Sequence, residues 1–312
     1  MSRKLCFTKW RPVPVTSFGG KERMMMTVLG AKLMVLGSIC FVALASGFAQ
    51  NTKEFKFTVQ PGATVSIINE FGPVTVHPTS GRQVLVTATL PSDKVEVDQT
   101  QSGNRIQLRT HLQQPKMTAD QARVQYDVSA PADVSVSVRS ANGPISVERM
   151  RGDITAEGDT ANIDVHDVSN GHVHVRSMGG PVKLTNISNG HVEVTSVSGP
   201  VDMNNVTGPK LEVNTTSGKI TYTGNFGTNG DYSFTNHNGD IDVFVPANVS
   251  VDIAARSLKG TVENDLQVAP KLHAPGFTAQ SDTARALSGT VNSGGSSVQI
   301  RSFSGKIRVK KQ

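Results

Sequence analysis

The sequence predicts an all-β chain: a repeat β-solenoid with about nineteen residues per two-strand coil and an N-terminal β cap region. Three observations predict it. One short phrase recurs, as Asn142-Gly143-Pro144-Ile145-Ser146-Val147, Asn189-Gly190-His191-Val192-Glu193-Val194, Ser198-Gly199-Pro200-Val201-Asp202-Met203 and Asn238-Gly239-Asp240-Ile241-Asp242-Val243. Each copy is a turn signal followed by alternating apolar and polar residues, the period of a half-buried strand. The leading apolar residues also form two interleaved series, Ile145, Ile163, Val182, Val201, Ile220, Ile241, Val262 and Ile154, Val173, Val192, Leu211, Tyr232, Val251, with steps of 18, 19 or 21 residues. A repeat of this length cannot bury its apolar face alone, but a stack of repeats can.

Taken in order, residues 1–49 read as an upstream leader and signal peptide. Lys32 precedes an apolar run from Leu33 to Phe48, and small residues lead up to Gln50. That run is shorter than the roughly twenty residues a membrane span needs. Met24, Met25 and Met26 offer a start alternative to Met1. Residues 50–135 read as a β-rich cap region, with short strands such as Thr64-Val65-Ser66-Ile67 and Val84-Leu85-Val86 between Pro-Gly and Ser-Gly turns. Gln113 to Arg123 breaks the alternation and reads as a loop, with one helical turn the alternative. The cap is expected to cover the first open edge of the solenoid.

Residues 136–265 carry the repeats. Two strands of four or five residues and two turns use up about nineteen residues, so each repeat is one coil, and roughly six or seven coils are expected. Inward positions are Val, Ile or Leu; outward ones, such as Asp164, Lys183, Glu193 and Asp242, are polar. Pro144, Pro181 and Pro200 stand where a strand begins, where a missing N–H costs least. An antiparallel meander, sandwich or propeller is the competing architecture. Residues 266–289 read as an irregular loop, and 290–312 as C-terminal strands ending with Lys310 and Lys311 at the last edge.

Charge excludes one class of partner. Residues 1–49 hold seven of the 31 Lys and Arg and one of the 25 Asp and Glu, leaving 24 of each in the rest. The basic balance belongs to the leader, so nucleic acid is not an expected partner. Both cysteines, Cys6 and Cys40, also fall in the leader, so no disulfide framework is expected.

Pro131-Ala132-Asp133-Val134-Ser135-Val136-Ser137-Val138, the Asn142-Gly143 phrase with its copies, and Ile67-Ile68-Asn69-Glu70-Phe71-Gly72-Pro73-Val74 resemble the bacterial putative-adhesin family of β-strand-repeat proteins, domain of unknown function 4097. The resemblance covers essentially the whole chain after the leader. It implies an exported, envelope-associated repeat protein and supplies no catalytic residues.

Histidine gives the best candidate site. His172 and His174 point outward from one strand, and His191 and Glu193 follow nineteen residues later at the equivalent places. Together His172, His174, His191 and Glu193 would form a two-by-two patch able to hold Zn²⁺ or Cu²⁺ or to sense pH; a plain solvated face is the alternative. Asp240, Asp242 and Asp202 are a weaker calcium candidate. No nucleophile elbow, zinc-protease helix or phosphate loop is present, and aromatic residues are few. The expected function is therefore an exported, non-enzymatic adhesion or interaction scaffold of a bacterial envelope, with no cofactor and no transmembrane segment after the leader. It would reside in the periplasm, on the outer surface or outside the cell, and bind an unidentified protein or glycan. An envelope polysaccharide-acting enzyme and a metal- or pH-responsive binder are the alternatives.

Overall fold

Valine, isoleucine and leucine at every second position give each repeat one dry face, and a strand with one dry face must find another to cover it. The computed structural model describes residues 51–114, 116–270 and 284–312; the expected leader lies outside them. The N-terminal part forms β1 (Asn51–Thr58), β2 (Thr64–Asn69), β3 (Val74–Thr79), β4 (Gln83–Leu90), β5 (Val95–Ser102) and β6 (Arg105–Leu112). A single helical turn, α1 (Ala119–Ala122), and β7 (Gln125–Pro131) follow. The turn stands where the alternation breaks and is held by a capping box between Thr118 and Gln121. The repeats supply β8 (Ser135–Ser140), β9 (Ile145–Glu148), β10 (Ile154–Gly158), β11 (Ile163–Ser169), β12 (Val173–Ser177) and β13 (Val182–Ser188). They continue as β14 (His191–Ser196), β15 (Val201–Val206), β16 (Lys210–Thr215), β17 (Ile220–Thr223), β18 (Asp231–Asn236) and β19 (Ile241–Val245). The rest is β20 (Val251–Ser257), β21 (Val262–Asn264), β22 (Val268–Ala269), β23 (Ala286–Val291), β24 (Ser296–Ser302) and β25 (Ile307–Lys311).

Among the described residues these strands make two sheets. One runs β1-β4-β7-β3-β9-β11-β13-β15-β17-β19-β25-β21, the other β5-β6-β2-β8-β10-β12-β14-β16-β18-β24-β20-β23-β22. From β8 to β19 successive strands alternate between the sheets, and each pairs in parallel with the strand one coil away. The first predicted series stacks in register from Ile145 through Ile163, Val182, Val201 and Ile220 to Ile241. The second does so from Ile154 through Val173, Val192 and Leu211 to Tyr232. Both rows are buried in the core. The fold is the predicted β-solenoid.

One insertion accounts for the 21-residue steps that both series show here. The turn between β17 and β18 is longer than its counterparts, and Phe226 from it stacks on Tyr222 with ring centroids 4.8 Å apart. Tyr222 donates to the Val206 and Asn225 carbonyls at 3.0 and 2.9 Å. Burial pushes its phenol far above the ordinary range.

The structure differs from the sequence reading at both ends. Region 50–135 does more than cap. β2 and β3 stack in parallel on β8 and β9, and β6 and β7 stack in parallel on β2 and β3. Antiparallel β5, β4 and β1 close that end. At the other end β24 and β25 lie inside the stack: β24 pairs with β18 and β20, and β25 pairs with β19 and β21. β25 is therefore not the last strand of its sheet, although β21 pairs only with Ile307 to Val309 and Lys310 and Lys311 run past it. Ile307, not Val262, stacks on Ile241, and Val298 stacks on Tyr232 with Ile253, not Val251, beyond it. The stack has ten layers, about 45 Å long at a spacing of about 4.8 Å, where roughly six or seven were expected. Within the expected loop 266–289, the start of β23 pairs antiparallel with β20, and β22 pairs antiparallel with the end of β23 at Thr290 and Val291.

A polar seam runs inside one corner. Ser140, Ser177, Ser196, Thr215, Asn236, Ser302 and Ser257 occupy equivalent positions and are buried. Each is bonded to the glycine three residues later: Ser177 Oγ donates to the Gly180 carbonyl at 2.6 Å, and Ser196 Oγ to that of Gly199 at 2.8 Å. These bonds satisfy hydroxyls that would otherwise be costly to bury. The glycines pack backbone to backbone, and a Cβ on Gly199 would sit 2.0 Å from the Gly180 carbonyl oxygen. Gly199→Ala is expected to cost roughly 3 kcal/mol or more, read as a lowered urea midpoint. An unchanged midpoint would show that the coils can slide apart without penalty.

Candidate functional site

The predicted histidine patch assembles as two vertical pairs. Val173 and Val175 turn inward and are buried, so His172 and His174 face out. The His172 and His191 rings meet edge to face at 5.6 Å. His174 Nδ1 lies 3.4 Å from Glu193 Oε2, and the His172 backbone N–H donates to Asp153 Oδ1 at 2.9 Å. Among the described residues no group of three or more His, Cys, Asp or Glu is placed to hold a metal ion.

The aspartates are drawn into structure. Asp242 is an outward residue, yet it is only 4 % exposed. Arg308 on β25 reaches it through Nε at 2.5 Å and Nη2 at 2.9 Å, and Lys219 Nζ lies 2.8 Å away. Arg308 Nη2 also donates to Asp240 Oδ2 at 3.1 Å. Burial pushes the Asp242 carboxyl up, but hydrogen bonds from Arg308 and Lys219 outweigh it and hold the group below the ordinary carboxylate range. Asp202 pairs in register with Lys183 and Thr221, and it lies two coils away from Asp242. The three acids that suggested calcium are thus split, and two of them clamp the inserted strand.

A further site has no counterpart in the sequence reading. An open groove of about 630 Å³ lies on the outer face and corner of the other sheet, where β18, β24 and β20 run side by side. Thr235, Arg301 and Arg256 contribute from consecutive layers of the face, and His237, Phe303 and Leu258 from consecutive layers of the corner. The His237 and Phe303 rings stack at 4.7 Å, and Lys259 Nζ stands 4.7 Å from the Phe303 ring centre. Leu258 is 49 % exposed.

The Toastrack DUF4097 family model matches residues 64–310. The chain belongs to that family. No curated protein matches the chain. Among solved structures, this Toastrack chain is similar to a "putative adhesin" of Bacteroides fragilis, at 13 % identity and a TM-score of 0.42, covering 84 % of this chain and 97 % of that one. It is also similar to a "putative adhesin" of Parabacteroides merdae, at 9 % identity and a TM-score of 0.38, covering 85 % and 98 %. A third is a "putative cell adhesion protein" of Clostridium sporogenes, at 12 % identity and a TM-score of 0.25, covering 84 % and 100 %.

In this Toastrack protein the histidine rows were legible because a nineteen-residue offset directly becomes vertical adjacency. The groove was not. Its residues come from three separate segments, around Thr235, Arg256 and Arg301, and they form this face only because β24 inserts between β18 and β20. The local signal was Ser302-Phe303-Ser304-Gly305, which repeats the buried Ser-x-x-Gly corner and so marks Phe303 as the corner residue of one more coil.

Proposed function

We propose that this Toastrack protein is an exported, non-enzymatic scaffold of a bacterial envelope that binds its ligand through rigid, register-locked outer faces. One observation carries the reading: outward side chains of successive coils stand in fixed rows. Asp164, Lys183 and Asp202 form one such row, and His174, Glu193 and Glu212 another. Parallel pairing on both sides of each central strand holds these rows in place, so the surface is preorganised before any ligand arrives. Asp242 and Asp240 serve the fold through Arg308, and Glu212 is held by Asn214 and Lys210. No helix among the described residues is long and apolar enough to cross a membrane. Export rests on the leader, with its short apolar run and small residues before Gln50.

Fractionating cells that carry the protein with a C-terminal epitope tests this, with intact-mass analysis of the product. Recovery from the periplasm, surface or medium with the leader removed is the expected result. Retention in the cytoplasm with residues 1–49 intact would overturn it, as would release of soluble sugars from envelope polysaccharide by the purified protein.

A further inference from the structure

Charged neighbours in the outer rows mostly neutralise one another. Arg139 lies 3.9 Å from Glu157, and Lys183 lies 4.0 Å from Asp164. Glu193 and Glu212 are like-charged register partners; His174 Nδ1 lies 3.4 Å from the first, and Lys210 pairs with the second at 3.3 Å. Arg256 and Arg301 depart from this pattern. They are register partners on β20 and β24, and both are exposed. Among the described residues neither pairs with a carboxylate; Arg301 Nη2 donates to the Gln299 amide oxygen at 2.9 Å. Adjacent strands are about 4.8 Å apart, and like charges directly opposite each other destabilise a sheet. This repulsion stands at the wall of a groove of about 630 Å³, a volume within the range of small-ligand sites.

We propose that this groove binds a carboxylate-bearing glycan strand. The two guanidinium forks match carboxylates in planar, two-point geometry. Lys259, over the Phe303 ring, extends the positive charge around the corner, and His237 stacks on the same ring. The half-exposed Leu258 and the edge of Phe303 provide apolar contact for the C–H faces of a sugar ring. An acidic peptide fits less well. Extended peptides draw affinity from main-chain bonds to an open sheet edge, and both β24 and β20 have strands paired on each side here. This inference deepens the scaffold reading by naming its ligand class. It is tested on purified protein, so it stands or falls separately from export.

Oligogalacturonate titrated into the protein at low and physiological salt is expected to bind, more weakly as salt rises. Its methyl ester, which keeps the sugar and loses the charge, is expected not to bind. The Arg256→Gln/Arg301→Gln variant should lose about tenfold or more in affinity. Because both side chains are exposed, it should keep or slightly raise the thermal midpoint as the repulsion disappears. The ligand should raise the midpoint of the wild type and not that of the variant. The proposal is overturned by absence of oligogalacturonate binding, by equal binding in the variant, or by poly-glutamate binding as tightly as the glycan.

Discussion

A chain ending at Gly295 is expected to lose its cooperative unfolding transition, although it retains most of the repeats. The missing strands β24 and β25 are interior: β18 and β20 lie on either side of one, β19 and β21 on either side of the other. Their Val298, Ile300, Ile307 and Val309 are all at most 1 % exposed. At about 1.5–3 kcal/mol for each buried side chain, the four contribute roughly 6–12 kcal/mol as an upper estimate. That is the size of a whole domain's net stability, about 5–15 kcal/mol. The truncation also bares strand edges on both sides of the gap. Removing β1 is the control, since among the described residues it is a largely exposed edge strand paired on one side only. Circular dichroism melts of the two truncations should differ sharply, with the β1 deletion still melting in one transition. A Gly295-terminated chain that melts like the full protein would mean that β24 and β25 are dispensable and do not sit inside the stack.

Asp242→Ala is expected to cost about 2 kcal/mol at neutral pH. Breaking a fully buried ion pair costs roughly 3–5 kcal/mol. Here the figure is discounted because Lys219 is half exposed and Arg308 keeps Asp240. The pH dependence has a definite sign. The folded-state pKa of Asp242 is depressed relative to an ordinary aspartate, near 3.9 when unfolded. Its contribution is therefore fully present above about pH 5 and is lost as pH falls through the folded pKa, once the carboxylate takes up its proton. Urea midpoints of wild type and variant should lie well apart at pH 7 and draw together near pH 3. If the separation is the same at both pH values, Asp242 holds β25 by packing and not by charge.

Both expectations turn on an insertion that local pattern does not reveal. The phrases at Val298-Gln299-Ile300 and Ile307-Arg308-Val309 read correctly as strands, because alternation is a property of a few adjacent residues. Their place in the stack is another matter. A parallel ladder is made by backbone groups common to every residue, so a coil with the right inward side chains can pair with any other coil's edge. Val262 and Val251 depart from the two series for this reason: coils adjacent in sequence there are not adjacent in the stack. Likewise, the calcium reading of Asp240 and Asp242 could not include Arg308, which is 66 positions from Asp242 and directly beside it in space. Between Val136 and Val243 the same inference succeeded, since consecutive coils there are also spatial neighbours.

By itself the sequence determined the all-β class, the two-strand coil, which residues face inward, the family, and the vertical pairing of His172 with His191 and of His174 with Glu193. These follow from period and from a constant offset, which are short-range quantities. Only the tertiary structure decided that residues 64–79 belong to the stack, that β24 and β25 divide the last coils, and that Arg256 comes to lie beside Arg301. Those outcomes depend on which of several chemically equivalent strand edges meet, and the choice is settled by the packing of the whole core rather than by any local run of residues.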